Sequence, residues 1–293
     1  MLTNSPSYII VTNTIFRDIT LVEKSIQYSL KQRVVPKSVI LIDQNQSPLI
    51  LSQELIDNPL LTVQTSKKTS VSAARNELII PEGVDWIVFC DDDGRLDENY
   101  SDIFLSYISE NPQIEIIAGS ILREDTMDFY SLRHKKGGSL KKFYNTKNLM
   151  GSNFCVKTTV FNELNRFDEE FGAGSKWGSG EETDFCWKAF FNNKEMEFVP
   201  TLKVIHVPPF NENLSIGLKK SYNYAVGKGA LVSKWLFTQR QIFVVYELAE
   251  MFMVPPIQIV RGILTLKIGL IVNNFSTFIG RFIGILKYTL KIF

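Results

Sequence analysis

The stretch that indicates the fold is VDWIVFCDDDG, which runs from Val84 to Gly94. Its apolar run from Trp86 to Cys90 is rich in β-branched and aromatic residues, which predicts a buried strand. Three aspartates follow at the carboxyl end of that strand, the edge at which open α/β sheets bind ligands. Adjacent carboxylates repel one another and are costly to desolvate unpaired, so the cluster favours a bound cation over a solvated, helix-capping turn. Oxygen ligands suit Mg²⁺ or Mn²⁺ best.

Length and composition limit the class of protein. The 293 residues suffice for one large α/β domain or for a domain with an appendage. A formal net charge of +1 gives no global field that would attract nucleic acid. The three cysteines are widely spaced, which predicts neither a disulfide framework nor a zinc site and fits a reducing compartment. Since no basic region with a long apolar stretch opens the sequence, we expect the amino-terminal part to stay in the cytoplasm.

A pattern of buried strand and polar loop recurs along the amino-terminal half. The first strand covers 8–11 and ends in Thr12-Asn13-Thr14, and the second covers 39–42 and ends at Asp43. The helix predicted between them, over about 19–32, makes this unit a right-handed parallel crossover. Further elements are predicted in chain order as a strand at 61–64, a helix start at 73–78, a helix around 100–109, and strands at 114–119, 150–156 and 204–207.

These features, in this order, make the chain similar to family 2 glycosyltransferases with the GT-A fold. The matching segments are Thr12-Asn13, Asp43 in an Asp-x-x-x-Ser loop, Ala74-Arg75-Asn76, Asp91-Asp92-Asp93, Phe167-Asp168-Glu169 and Gly180-Glu181-Glu182-Thr183-Asp184. They cover roughly residues 8–210, and an ordered set is more specific than any one motif. The resemblance implies an α/β fold over 1–212: a Rossmann-like, mixed, mostly parallel sheet flanked by helices. Residues 213–293 would form a helical, membrane-associated extension.

The resemblance also implies roles around the donor. Thr12, Asp43 and Arg75 would line the nucleotide pocket, where a carboxylate can accept from a base or ribose and an arginine can pair with phosphate. Taken alone, Asp43 fits a turn residue equally well, and Arg75 fits a surface salt bridge. The aspartates Asp91-Asp92-Asp93 would act as the DxD motif. Asn153 would lie beside the sugar.

The metal shell implied by the resemblance includes a histidine. A lone histidine is usually structural, yet several GT-A enzymes complete their metal shell with one after the helix that carries the base. His206 stands at this position and would join Asp91 and Asp93. An imidazole nitrogen is acceptable to Mn²⁺ as well as to harder oxygen sites.

Three carboxylates are candidates for the catalytic base. A glycine-rich loop at 172–180 leads into Glu181-Glu182-Thr183-Asp184, where the resembled family has a Glu-Asp pair and uses the second residue. Glu182 is therefore the first choice, although Glu replaces Asp here, with Asp184 in reserve and Glu181 third. Carboxylates in a first helical turn also complement the helix dipole without any catalytic role. Trp177 would either stack on an acceptor sugar or anchor the packing of the loop.

Together these features predict a metal-dependent inverting glycosyltransferase. Its donor would be a nucleotide sugar, with UDP- or dTDP-sugars first, and its acceptor a glycan or lipid-linked saccharide in bacterial surface-polysaccharide synthesis. A nucleotidyltransferase is one alternative, but it typically has a glycine-rich loop after the first strand, and residues 12–17 contain no glycine. A non-catalytic glycan-binding or scaffold protein derived from a transferase is the other, because the Glu-Glu pair departs from the family.

Two segments lie outside these motifs. Residues 123–148 are polar and basic, which fits a functional loop that closes over phosphates or a solvated charged loop. From Met251 to Phe293 the chain has five basic and no acidic residues, so residues 1–250 carry a formal net charge of −4.

This tail and the amphipathic helix predicted over 214–235, with interruptions at Gly227 and Gly229, suit the cytoplasmic face of a cell membrane. No window of 18 apolar residues is free of charge, which argues against a confident spanning helix. A helical subdomain, an oligomer contact, or one tilted span between Ile257 and Ile279 are the alternatives.

Overall fold

The computed structural model describes residues 6–136, 139–208 and 214–292. The chain divides into two compact units. The first comprises Met1–Phe167 and Phe185–Pro208, and the second comprises Asp168–Asp184 and Pro209–Phe293. The predicted division of the chain between residues 212 and 213 stays a prediction. However, the glycine-rich loop groups with the carboxyl-terminal unit rather than with the sheet.

The first unit is built on one mixed sheet. Its strands are β1 (Tyr8–Thr14), β2 (Ser38–Asp43), β3 (Leu61–Thr65), β4 (Trp86–Phe89), β5 (Gly94–Leu96), β6 (Ile116–Arg123), β7 (Phe154–Lys157) and β8 (Met196–His206). Their order is β3-β2-β1-β4-β7-β6-β8-β5. The pairs β1–β2, β1–β4, β2–β3 and β6–β8 are parallel, and β4–β7, β6–β7 and β5–β8 are antiparallel. The predicted mixed, mostly parallel sheet is confirmed.

The helices are α1 (Ile19–Leu30), α2 (Gln53–Ile56), α3 (Val71–Asn76), α4 (Tyr100–Glu110), α5 (Leu132–Lys136), α6 (Thr158–Glu163), α7 (Glu181–Phe191), α8 (Leu214–Ser233), α9 (Val245–Leu264) and α10 (Ile268–Ile292). Helix α1 begins at the side chain of Asp18, which accepts from the backbone of Thr20. Helix α3 begins at Ser70, whose hydroxyl accepts from Ala73. Such caps satisfy backbone N–H groups that have no partner within the helix.

Two apolar layers cover the sheet. Because side chains alternate across a strand, Ile9 and Val11 enter one layer, and Tyr8 and Ile10 enter the other. Strand β4 is buried along its whole length, as its continuous apolar run predicts. The strands β1, β2 and β4 run in the same direction, so their carboxyl ends meet at one edge of the sheet.

The basic segment 123–148 is more ordered than a solvated loop. It contains the end of β6, helix α5 and a 3-10 helix over Phe143–Asn148, while residues 137 and 138 lie outside the described part. His134 is fully buried there: its Nδ1 accepts from the Ile121 amide at 3.1 Å, and its Nε2 lies 3.2 Å from the Asn148 carbonyl. Burial lowers the pKa of His134 to about 4. This histidine is therefore a neutral core residue at neutral pH.

This burial predicts acid sensitivity of the fold. In the unfolded chain His134 titrates near its ordinary pKa of 6.5, so its contribution is intact above that pH and is lost as the pH falls towards about 4. We expect the unfolding free energy to fall by up to about 1.4 kcal/mol per pH unit in this window because of His134. Urea titrations between pH 7 and pH 4 would measure it. His134→Asn keeps an acceptor for Ile121, so it should show a shallower pH slope; an unchanged slope would contradict the prediction.

The second unit is mainly helical, and two predictions about it need correction. Helix α8 runs without interruption through Gly227 and Gly229. Glycine at these positions allows close packing, since a Cβ on Gly229 would lie 2.1 Å from the Arg281 carbonyl oxygen. A span from Ile257 to Ile279 is wrong, since α9 ends at Leu264 and Leu266 turns the chain with a φ of 53°.

Among the residues of the second unit that the structure describes, two stretches would be able to cross a membrane by length and composition. They are Ile242–Leu264 and Ile268–Lys291, with mean hydropathies of 1.5 and 1.4. The sequence criterion required an apolar window without any charged residue. It therefore did not select these two helices, which hold only one or two charged residues in such a window. Length and composition alone do not distinguish a span from a helix that lies on a surface.

Candidate metal and nucleotide site

Sheet pairing brings the aspartates and His206 together. The short strand β5 directly follows Asp91-Asp92-Asp93 and pairs antiparallel with the end of β8, so that Gly94 lies opposite His206. The amide of Val207 then donates to the carbonyl of Asp93 at 3.2 Å. Residues more than 100 positions apart therefore meet where β4 ends.

Asp91, Asp93 and His206 form a group that fits a divalent cation. One ligand atom from each lies within 4.8 Å of the others. His206 Nε2 is 2.9 Å from Asp93 and 3.8 Å from Asp91, while its Nδ1 lies 2.8 Å from the Val207 carbonyl. A metal-binding histidine normally donates its second N–H to such an oxygen, which fixes the ring. Two carboxylates and one imidazole suit Mn²⁺ well, with Mg²⁺ as the other choice.

The charges of the group support this interpretation. Burial would lower the pKa of His206, but its hydrogen bonds with Asp91 and Asp93 prevail and raise the pKa to about 10. Burial would raise the pKa of Asp91, yet His206, Arg75 and Ser152 together hold that pKa well below its usual range. A proton on His206 thus supplies a positive charge beside the two aspartates, which is the role that a bound cation would take. A metal ion must displace this proton, so its affinity should rise with pH.

Arg75 reaches the site as a support for Asp91. Its side chain is 2% exposed, its Nε donates to Asn13 at 2.8 Å, and its Nη2 donates to Asp91 at 3.2 Å. The guanidinium also lies 5.2 Å from the ring centre of Phe89. The sequence placed Arg75 in the nucleotide pocket; the structure brings it to the metal group but buries it behind Asp91.

Asp92, the middle aspartate, points to a different set of partners. Its carboxylate accepts from Thr14 Oγ1 at 2.6 Å and from Arg17 Nε at 3.0 Å, and Arg17 Nη1 also lies 3.0 Å from Asp93. Burial raises the pKa of Asp92 to about 6, although Thr14 and Arg17 oppose the shift. Asp92 therefore ties the aspartate turn to the end of β1, and Arg17 bridges it to the metal group.

Asp43 and Thr12, the other residues predicted for the nucleotide pocket, differ in their hydrogen bonds. Asp43 is buried, and its two oxygens accept from the amides of Asn45 and Leu49 at 2.9 and 2.8 Å, so it orders its own loop. This contact pattern matches the turn alternative for Asp43. Thr12 is also buried on β1, and its hydroxyl has no hydrogen-bond partner in the parts of the chain that the structure describes.

Asn153 is a buried amide that links strands of the sheet, and its place beside the sugar stays a prediction. It is fully buried, its Nδ2 donates to the carbonyls of Ser120 and Leu202 at 2.8 and 3.0 Å, and its Oδ1 accepts from Tyr100 at 2.8 Å. Both N–H donors of the amide and one acceptor position of its oxygen are thus used within the first unit. The sequence could not distinguish this case, because strand position does not reveal cross-strand partners.

The three candidate bases lie in the first turn of α7 and differ in exposure. Glu181 is buried, Asp184 is fully buried, and Glu182 is half-buried. Asp184 accepts from Lys234 Nζ at 2.6 Å and from Trp235 Nε1 at 2.8 Å. Burial and these two donors give Asp184 a structural role, and its reserve role as base stays a prediction.

The loop before α7 depends on its glycines. Gly172, Gly174, Gly178 and Gly180 all have positive φ angles, between 71° and 108°, which other residues rarely adopt. Trp177 is 4% exposed and packs 5.5 Å from the ring of Tyr288, which fits the packing alternative and leaves its ring out of reach of a sugar.

Four residues that contact the aspartates 91–93 or the carboxylate pair of Asp168 and Asp184 were not expected from the sequence. Thr14 ends β1 and Arg17 follows it, Ser152 donates to Asp91 at 2.6 Å, and Lys234 pairs with Asp168 at 2.7 Å. Arg17 had a usable signal, because it is the first cation after the first predicted strand. Lys234 had none, since nothing in its helical sequence indicates a buried partner.

Comparison with known proteins identifies the fold. No family model matches the sequence, and no curated protein sequence matches it. The structure is similar to the crystal structure of GalNAc-T7 with UDP, GalNAc and Mn²⁺, with a TM-score of 0.57 and 13% sequence identity. The match covers 81% of this chain and 49% of that one, so the chain spans about half the length of that structure. This likeness shows the GT-A fold; the predicted fold class is confirmed, and the activity is a separate question.

Proposed function

We propose that this chain is a metal-dependent inverting glycosyltransferase of the family 2 type. It would transfer a sugar from a nucleotide donor, with UDP- and dTDP-sugars first, to a glycan or lipid-linked saccharide in surface-polysaccharide synthesis. The observation that carries this proposal is the meeting of Asp91, Asp93 and His206 at the carboxyl edge of a GT-A sheet. The order of the family 2 motifs supports the finer assignment.

In this proposal Asp91, Asp93 and His206 hold Mn²⁺ or Mg²⁺. The bound ion would act as a Lewis acid for the charge that develops on the departing nucleoside diphosphate. Arg75 keeps Asp91 in place and ionised, and the Val207 carbonyl keeps Nε2 of His206 directed at the two aspartates. These contacts hold the two aspartates and the imidazole towards one point, so little reorganisation would be needed during the reaction.

Glu182 is the proposed base, because it is the half-buried member of its turn and stands where the resembled family has its base. Its carboxylate would take the proton of an acceptor hydroxyl, whose oxygen forms a bond to the anomeric carbon. The bond from that carbon to the phosphate oxygen breaks, and the nucleoside diphosphate leaves with the electron pair. A single displacement of this kind inverts the anomeric centre.

Arg17 should contact the donor's phosphates. Its guanidinium already bridges Asp92 and Asp93, and about a third of the side chain is exposed. We expect Arg17→Gln to weaken UDP binding by roughly tenfold or more, because the variant loses a charge-assisted hydrogen bond to the phosphates. Uridine has no phosphates, so its binding should be nearly unchanged. Calorimetric titrations with UDP and uridine would test this. Arg123→Gln, which removes a surface pair with Asp125, is the matched control; an equal loss with uridine would contradict the role.

The experiment that tests the proposed function is a thermal-shift panel of UDP-, dTDP-, GDP- and CMP-sugars, with and without Mn²⁺. A ligand that binds only the folded state at 100 times its Kd stabilises that state by about 2.7 kcal/mol. Metal-dependent stabilisation by one nucleotide class, followed by metal-dependent release of its sugar, is expected. Stabilisation by nucleoside triphosphates alone would favour a nucleotidyltransferase. A folded protein that ignores every nucleotide but binds glycans would favour the non-catalytic scaffold.

A further inference from the structure

Helix α10 presents an apolar stripe that no described part of the second unit covers. The stripe consists of Ile268, Val272, Phe275, Ile279, Phe282, Leu286 and Leu290, which recur every three or four residues on one face. All seven side chains are exposed, by 37 to 72%. The stripe runs over 23 residues, and its two ends lie about 33 Å apart at the rise of an α-helix. Long exposed apolar surfaces of this kind mark interaction sites.

The opposite face of α10 is packed against α8. A Cβ on Gly284 would lie 2.1 Å from the Val226 carbonyl oxygen, and one on Gly280 would lie 2.8 Å from the Ala225 Cβ. Further along, the hydroxyls of Ser233 and Thr289 are 2.9 Å apart. The two helices therefore run side by side in the same direction, and the stripe faces away from α8.

This packing argues against α10 as a spanning helix. Lys219 and Lys220 are exposed on α8 and precede Tyr222, whose carbonyl lies at Gly280, the midpoint of α10. If α10 crossed a bilayer, α8 would carry these lysines close to the bilayer centre, where a charged side chain is costly to place. Helix α9 is joined to the same block, because its Glu247 pairs with Lys228 of α8 at 2.7 Å.

The basic residues near the stripe indicate the kind of surface that covers it. From Met251 to the end of the chain the five charged residues are all basic. Lys267 directly precedes α10, and Lys287 lies about 100° from the centre of the stripe at 100° per residue; both side chains are exposed. A second copy of the chain would bring cations against cations, whereas helix pairs usually set opposite charges at the edges of their contact. An anionic lipid surface offers the complementary charge together with an apolar phase.

We propose that the stripe of α10 lies in the plane of an anionic membrane surface. The seven apolar side chains enter the boundary between headgroups and acyl chains, and Lys267 and Lys287 contact lipid phosphates. This inference goes beyond the proposed transfer reaction and does not depend on it, since a chain with no transferase activity would bind the same surface.

Vesicle sedimentation with the full-length protein tests the proposal. The probes are vesicles of phosphatidylcholine alone and of an equimolar mixture with phosphatidylglycerol. We expect strong binding to the mixed vesicles and weak binding to the neutral ones. Phe275→Asp/Phe282→Asp should lower the partition coefficient by about 100-fold. Each ring would be buried in the membrane, and losing that burial lowers the coefficient at least tenfold per ring. Lys267→Gln/Lys287→Gln should lower it by about fivefold for each lysine on mixed vesicles only.

Ile50→Asp/Ile56→Asp in the first unit is the matched control, because Ile56 and Phe275 are equally exposed at 58%. This control should bind as the wild type does, and circular dichroism would establish that each variant is folded. Three outcomes would overturn the proposal. They are equal binding by the stripe variant and the wild type, a vesicle-free dimer that the stripe variant dissociates, and a protein that resists extraction from membranes at high pH as a spanning protein does.

Discussion

Replacement of Asp93 by asparagine is expected to abolish metal-dependent nucleotide binding. Asp93 supplies one of the two carboxylates of the metal group, is largely buried, and lies 2.9 Å from His206. Loss of a residue that merely supports a metal ligand typically costs 10- to 100-fold in affinity, so loss of a ligand itself should weaken Mn²⁺ binding by at least about 100-fold. Calorimetric titration with Mn²⁺, followed by UDP, would measure both steps.

The control for this variant is Asp125→Asn, which removes a carboxylate paired with exposed Arg123. It should bind Mn²⁺ as tightly as the wild type. His206→Gln should weaken Mn²⁺ binding as well, because it removes the imidazole nitrogen from the same group. A folded Asp93→Asn variant that retains full Mn²⁺ affinity would show that the cation binds elsewhere, and the proposed mechanism would lose its basis.

Replacement of Lys234 by methionine is expected to destabilise the second unit by about 3–5 kcal/mol. Burial lowers the pKa of Lys234, but Asp184 and Asp168 prevail and raise it, so the residue is a buried cation held by two carboxylates. Methionine has a similar length and leaves Asp184 as a fully buried carboxylate without its cation. Removing one partner of a buried ion pair costs about this much, because the remaining charge is uncompensated. Urea titration followed by circular dichroism would measure the loss.

Two further variants show whether charge is the cause. Lys287→Met removes an exposed lysine of the same unit and should change stability by less than about 0.5 kcal/mol. Asp184→Asn in the Lys234→Met background removes the uncompensated charge and should recover part of the loss. If Lys234→Met is as stable as the wild type, or if Asp184→Asn worsens it, the buried pair does not act as described.

Much of the fold could be predicted from the sequence, for reasons that are local. The continuous apolar run from Trp86 to Phe89 needs cover on both faces, so it specifies a central strand. The alternation of such runs with the helical pattern of α1 specifies parallel crossovers. Polar residues follow the apolar runs at the strand ends, so the chain order alone predicts Thr12, Asp43 and Asp91 at one edge of the sheet.

The carboxyl-terminal region was predictable in part. Its apolar and basic composition indicated helices suited to a surface, and the position of its turn at Leu266 was missed. Spacing alone did not show that Gly229, Gly280 and Gly284 serve helix packing, because a glycine that breaks a helix and one that admits a neighbour have the same sequence signal.

What the sequence by itself determined is the order of strands and helices and the residue types at the sheet edge, since both follow from periodicity and strand ends. Only the tertiary structure decided which of those residues face a common point. Asn153 and Asp184 carry polar groups of the expected kind, and the structure adds buried partners for both, the Ser120 carbonyl and Lys234. His206 meets Asp93 through an antiparallel pairing between distant segments. Such partners depend on which elements pack together, and no local sequence pattern contains that information.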